Sequence, residues 1–368
     1  MKCGVLTFHR ASNYGAVFQT YALQRFLNSN GIDSEVIDYR CPFIENHIVP
    51  KRLTEWIRPS NMYRLLFKNA YILDNRRNFA EFVKNYIPVS DKVYTPENIK
   101  NANELYDTFI VGSDQIWSNY CAGFDKNYFL EFVCDNKKKN SYSASFGFVE
   151  WPADLEDEYH RLLSGFNAIS VREVQGAKLV NRWNDINAEW TLDPVFLLSK
   201  EEWISITEPT GNRKPYLVLY LMTETKSIIQ YAKNVAKERN LDIIYVSERL
   251  LNHCGMKNRK KSTPVKWISL INSAEFVVTN SFHGTAFSII LEKEFSVELL
   301  PEPSKVNSRI TDLLHKLDLS RRIINNNCDL KSIDYDCVNK HLHNYSVESK
   351  EYLLKILRDK QLVEEKNE

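Results

Sequence analysis

The sequence predicts an α/β protein made of two doubly wound, Rossmann-like domains. Two blocks of strand–helix alternation and the polar joint between them carry that expectation. The first block begins at once: Val5-Leu-Thr-Phe8 reads as a buried strand, His9 to Ala16 as a polar turn, and Val17 to Leu27 as a helix with an apolar stripe. Gly31 stops the helix, and Ser34-Glu-Val-Ile-Asp38 is the next strand. Strand–helix–strand in so short a span is a βαβ unit, hence a parallel pair with a right-handed crossover. The second block starts near Pro215, with strands at Tyr216–Leu221, Asp242–Ser247, Glu275–Thr279 and Phe295–Leu299. Helices Lys226–Arg239, Val265–Ile271 and His283–Leu291 lie between them.

Residues 42–105 break the rhythm. They are rich in Arg, Asn and aromatic residues around helical stretches such as Asn75–Val83, and read as a helical insertion. The βα pattern returns with strands at Thr108–Gly112, Ser141–Ser145 and Ala168–Val171. Glu208 to Pro215 has the Pro, Thr, Gly and Asn content of a linker. The expected domains are therefore 1–207 and 215–325. The tail, 326–368, carries a charged helix over Tyr345–Glu368 that is long enough to pack back on the first. Two such domains facing each other place a ligand in the cleft, at the carboxyl ends of the strands.

Composition narrows the function classes. With 48 basic and 47 acidic residues in 368, the net charge is +1, which gives no electrostatic reason to expect nucleic acid or an anionic membrane as main partner. The seven cysteines are scattered and never form a C-x-x-C pair, which argues against a zinc ribbon or a disulfide framework and for a reducing compartment. The first residues hold too short an apolar run for a signal peptide, and no stretch reaches the ~18 apolar residues of a membrane span. A cytoplasmic location is expected. His47, His160, His253, His315, His341 and His343 show no metal-ligand spacing, so no metal is expected.

Four loops that follow expected strands carry polar chemistry. In His9-Arg-Ala-Ser-Asn-Tyr-Gly-Ala16, Asn13 can cap the helix and Gly15 lets backbone approach a ligand, with Tyr14 between them. Neither a dinucleotide fingerprint nor a P-loop is present. Ser113, Asp114 and Gln115 form a hydrogen-bonding run suited to sugar hydroxyls, or else a capped turn over Trp117. Arg172 ends a strand and can meet an anion with its fork, or pair with Glu173 on the surface. Asp193-Pro194 reads as a structural corner rather than a catalytic carboxylate. The fourth loop is Thr279-Asn280-Ser281-Phe282-His283-Gly284-Thr285, between a buried strand and an apolar helix. A turn of this kind aims backbone N–H groups at one point, where a histidine can hold an anion or move a proton. The plainer reading is an Asn280 or Ser281 cap beside a packed histidine. Arg309 begins a later helix and is a further candidate for the site.

Taken in order, Asn13-Tyr-Gly-Ala16, Gln19 to Gln24, Val111-Gly-Ser-Asp-Gln-Ile-Trp117, Tyr142 to Gly147, Ser170-Val-Arg-Glu173, Asp193-Pro194 and Thr279 to Gly284 resemble the polysaccharide pyruvyl transferase family. The resemblance runs to about Arg321 and implies a fold like that of the two-domain GT-B glycosyltransferases. It also implies transfer of the enolpyruvyl unit of phosphoenolpyruvate to a sugar of a surface polysaccharide or its lipid-linked precursor. The product is a pyruvate ketal, and phosphoenolpyruvate serves as donor substrate with no resident cofactor. By resemblance Arg172 meets the donor's anionic groups and His283 contacts the donor. Asn13, Tyr14, Gly15, Ser113, Asp114, Gln115, Asn280, Ser281, Gly284, Thr285 and Arg309 are expected around them. Several members carry Ser-Arg-Leu-His where this chain has Asn280-Ser-Phe-His283, so one donor-binding arginine is replaced by Ser281. A nucleotide-sugar glycosyltransferase and a catalytically silent glycan-binding protein of the same fold are the alternatives, because fold alone does not fix chemistry. The charged tail and the basic, aromatic stretch Lys51–Arg77 leave peripheral membrane association open.

Overall fold

Five strands of the first block form one parallel sheet: β1 (Lys2–Leu6), β2 (Asp33–Tyr39), β3 (Val89–Tyr94), β4 (Thr108–Val111) and β5 (Lys139–Ser141), in the order β3-β2-β1-β4-β5. The computed structural model describes residues 1–48, 59–212, 214–247, 259–260, 262–300, 307–325 and 331–364. Arg213 of the expected linker, His253, Cys254, Cys328 and residues 51–58 of the basic stretch lie outside them.

β1 is central, with Val5 paired to Val36 on one side and to Ile110 on the other. Its neighbour β4, Thr-Phe-Ile-Val, is buried at every position. Such continuous burial marks a strand covered on both faces, as parallel sheets are. β6 (Ile169–Val171) and β7 (Ala188–Trp190) form a short parallel pair, and a bridge from Ala144 to Val171 carries the line of the main sheet across to them. The helix Tyr14–Ser29 makes the β1–β2 crossover.

The second block repeats the plan. β8 (Tyr216–Tyr220), β9 (Asp242–Val246), β10 (Arg259–Lys260), β11 (Phe276–Thr279) and β12 (Glu294–Val297) are parallel, in the order β10-β9-β8-β11-β12. The helix Lys226–Glu238, capped by Thr225, buries Ile228, Ala232 and Val235 against Leu217, Leu219, Phe276 and Val278. In both sheets the order reverses beside the first strand, between β1 and β4 and between β8 and β11. Open parallel sheets bind ligands at the carboxyl edge of such switch points.

The fold class is therefore α/β with two Rossmann-like parallel sheets, as the alternation predicts. The chain divides into two compact units: Met1–His47, Val83–Leu198 and Asn339–Glu368 make one, Ile48–Phe82 and Ser199–Val338 the other. Three details differ from the sequence reading. The first strand starts and ends earlier, so the polar loop begins at Thr7. The stretch 42–105 holds more than helices, because Val89–Tyr94 is the edge strand β3. Edge strands expose one side, and its Ser-Asp-Lys interior hides the apolar signal. The tail helix starts earlier, at Tyr335, and runs to Glu364. In its own unit, Ser349 Oγ accepts from Leu192 N–H at 2.9 Å and Tyr352 donates to the Ser141 carbonyl at 3.3 Å.

Candidate active site

In the first unit three carboxyl-end loops are stitched together. Asn13 caps the helix Tyr14–Ser29, its Oδ1 accepting from Ala16 N–H at 3.1 Å. Thr7 receives the Gln19 amide at 2.8 Å and donates to the Ser113 carbonyl, joining the β1 and β4 loops. Gly112 is required at this seam, since a Cβ there would lie 2.9 Å from Thr7 Cβ. Below the β4 loop Trp117 is fully buried, stacked 5.6 Å from Phe129, with its indole N–H on the Tyr128 carbonyl at 2.9 Å. At the end of β2, Asp38 contacts His9 at 3.2 Å and Arg10 at 3.1 Å. Burial pushes the Asp38 carboxyl up, but the hydrogen bond and charge of His9, with Arg10 and Arg40, bring it down to about 2.

Arg172 is the charge centre of this unit. Its side chain is 2 % exposed, and its guanidinium meets Asp193 at 2.6 Å, Asp114 at 3.6 Å and Glu173 at 3.9 Å. Burial alone would lower its pKa; the three carboxylates outweigh burial and raise it above the usual arginine value. Asp193, fully buried, also accepts from Ser113 Oγ at 3.1 Å and from Val195 N–H at 3.1 Å. Ser145 Oγ donates to Glu173. Asp114 stands apart. Its backbone is left-handed, with φ 74°, a conformation that costs a non-glycine residue roughly 1–2 kcal/mol.

In the second unit the β11 loop is built from neutral groups. Asn280 spans the switch point: its Oδ1 accepts from Met222 N–H at 2.8 Å, and its Nδ2 donates to the Thr223 carbonyl at 2.6 Å. Ser281 is the N-cap of the helix Phe282–Ile290 and accepts from Gly284 N–H at 3.4 Å. Thr285 donates to the Ser281 carbonyl at 3.0 Å. A Cβ on Gly284 would lie 2.4 Å from Thr279 Oγ1, so this turn needs glycine. His283 sits in the first turn of that helix, buried at 7 % exposure. The Arg309 guanidinium lies 5.9 Å over the ring of Phe282, which brings a cation beside the histidine's neighbour.

Several residues expected around the ligand have partners within the fold. Tyr14, Ser113 and Thr285 are buried inside the fold, and Asn280 ties two loops together with its amide. Arg172 is nearly buried and lies among three carboxylates of its own unit, Asp193, Asp114 and Glu173. Asp193, read as a corner, does cap the turn Pro194–Leu197, and it is also the closest of the three to Arg172. No local pattern reveals a contact between residues so far apart. Among the described residues no group of three or more His, Cys, Asp or Glu is arranged to hold a metal ion. None of the described helices is long and apolar enough to cross a membrane.

Fold and site define a doubly wound α/β protein with polar chemistry at the carboxyl edges of two parallel sheets. Residues 13–297 match the family model for polysaccharide pyruvyl transferase, and the chain belongs to that family. Among solved structures it is similar to the UDP-GlcNAc 2-epimerase from Neisseria meningitidis bound to UDP-GlcNAc, at 10% identity over 98% of this chain and 100% of that one, TM-score 0.48. It is also similar to the UDP-N-acetylglucosamine 2-epimerase from Rickettsia bellii, at 9% identity over 98% and 96%, TM-score 0.48. A third likeness is to the E. coli ADP-heptose lps heptosyltransferase II, at 11% identity over 95% and 100%, TM-score 0.40. No curated protein matches in sequence.

Proposed function

We propose that the protein transfers the enolpyruvyl unit of phosphoenolpyruvate to a sugar of a polysaccharide or its precursor, forming a pyruvate ketal in the cytoplasm. Family membership supports the reaction class. The observation that carries the chemistry is the place of His283, in the first turn of the helix after β11, at the switch point of its sheet. That end of a helix favours anions, and the donor carries a phosphate and a carboxylate. Arg309 is proposed as the cation that replaces the arginine relatives carry at the Ser281 position.

In this reading His283 gives its proton to the donor's methylene carbon, creating an oxocarbenium-like centre. One sugar hydroxyl attacks that centre, phosphate leaves, and a second hydroxyl of the same sugar closes the ketal. Within the first unit Arg172 holds Asp114 and Asp193. Phosphorus NMR tests the proposal: inorganic phosphate should appear from phosphoenolpyruvate only when a glycan acceptor is present. His283→Ala should slow that release by about 10²–10⁴-fold, the usual contribution of a positioned general acid. Phosphate release that ignores His283, or turnover of a nucleotide sugar with no response to phosphoenolpyruvate, would replace this reading.

A further inference from the structure

A cavity of about 280 Å³ opens at the amino ends of β6 and β7, the edge of the sheet opposite Arg172. All of its lining belongs to the first unit, including Tyr352 from the tail helix. Its volume falls just under the ~300–1,000 Å³ usual for small-molecule pockets, which suits a single ring rather than a nucleotide. The fold itself holds most of the walls. Asn167 donates its amide to Asn140 Oδ1 at 2.9 Å, and Asp185 accepts from His160 Nε2 at 3.0 Å. Tyr352 donates to the Ser141 carbonyl, and Phe166 stands edge-on to buried Trp117. Asn187 and Glu189 are different. Both are exposed, and neither side chain has a hydrogen bond or ion pair among the described residues.

These walls select a ligand class. No lysine or arginine lines the cavity, so an anionic ligand would meet the charges of Asp185 and Glu189 uncompensated. Among the described residues no group of three or more His, Cys, Asp or Glu is set to hold a metal ion. Carboxylate oxygens accept from hydroxyls, and an amide both donates and accepts. Phe166 adds an apolar wall for the C–H face of a ring. We infer that this cavity is a second sugar site, which binds a neutral pyranose unit of the glycan and rejects an anionic one. The source of that sugar rests on the transferase reading above, whereas the preference for a neutral ring rests on the walls. A pyruvate ketal carries a carboxylate that the unmodified sugar lacks. The site therefore keeps hold of glycan still to be modified and releases glycan already pyruvylated.

Heteronuclear NMR of the asparagine side-chain amides reads the cavity directly, with the Asn187 signal assigned by its loss in Asn187→Ala. The neutral probes are methyl glycosides of glucose, galactose, mannose and their 2-acetamido derivatives. Methyl glucuronide and a methyl galactoside carrying a pyruvate ketal are the anionic ones. The Asn187 signal should shift saturably with at least one neutral glycoside. Both anionic probes should bind there roughly five-fold or more weakly, the effect of one like charge at close range in water. Glu189→Gln keeps the shape and removes a charge, so it should narrow that gap, which a merely structural role would leave alone. An Asn187 signal unmoved by every neutral glycoside would overturn the inference. So would anionic probes that bind as well as neutral ones, or butylamine binding in preference to any glycoside. The two readings fail separately. Phosphate release from phosphoenolpyruvate with a glycan acceptor, beside an unmoved Asn187, removes only the cavity; a shifted Asn187 with no phosphate release under any acceptor keeps the cavity and removes the transferase.

Discussion

The two units share one strand order yet furnish their switch points with opposite materials. Beside β1 and β4 the first unit gathers charge: a guanidinium among three carboxylates, and an aspartate between a histidine and two arginines. Beside β8 and β11 the second uses Asn280, Ser281, Thr279 and Thr285, each hydrogen-bonded and none charged, around one histidine. Buried charges are costly to bring together and costly to disturb singly. Neutral amide and hydroxyl frames cost less on both counts. The same topology therefore gives one unit an electrostatically locked edge, and the other a neutral frame in which His283 is the ionisable residue of the Thr279–Thr285 loop.

The sharpest break of this comparison is Arg172→Ala. It leaves three carboxylates, one of them fully buried, without their cation, and should cost about 3–5 kcal/mol in denaturant melts. Its counterpart, Asn280→Ala, strands the Met222 N–H and the Thr223 carbonyl and should cost about 1–3 kcal/mol. Equal losses would mean that the two edges are held alike. Asp38→Asn refines the charged side. The carboxyl titrates near ~3.9 in an unfolded chain and near about 2 in the fold. Its folded pKa is depressed, so its stability is fully present above ~4 and is lost as pH falls toward 2, about 2 kcal/mol in all. Wild type should lose that increment between pH 4 and 2 relative to the Asn variant; parallel acid titrations would remove Asp38 from the account. The smallest effect is a labelling pattern. Cys134 and Cys337 are exposed, whereas Cys3 and Cys41 are buried, with the Cys41 thiol pushed up to about 11 chiefly by burial. Iodoacetamide with peptide mapping should mark the first pair under native conditions and reach Cys3 and Cys41 only when the first unit opens.

Periodicity made the fold legible: apolar runs such as Phe109-Ile-Val and Phe276-Val-Val are read directly as buried parallel strands. Edge strand β3 was harder because its exposed Asp91 and Lys92 break the run. At the site, loop positions were readable because a polar turn after a buried strand lies at the sheet's carboxyl edge. What each side chain faces was not. Ser113 and Asp114 are adjacent in sequence, yet one turns inward to Asp193 and the other reaches solvent. Asp193 holds the one and Arg172, just past β6, faces the other, through burial and charge that no local pattern carries.

The first unit is assembled from three separated stretches, the last beginning at Asn339. A ribosome makes the chain from its amino end at roughly 5–20 residues per second. Ser349 and Tyr352 therefore reach Leu192 and Ser141 only after every residue of the second unit has been translated. The unit begun first is completed last. During that interval its sheet lacks the helix that will cover it, and the nascent protein has most need of a chaperone there.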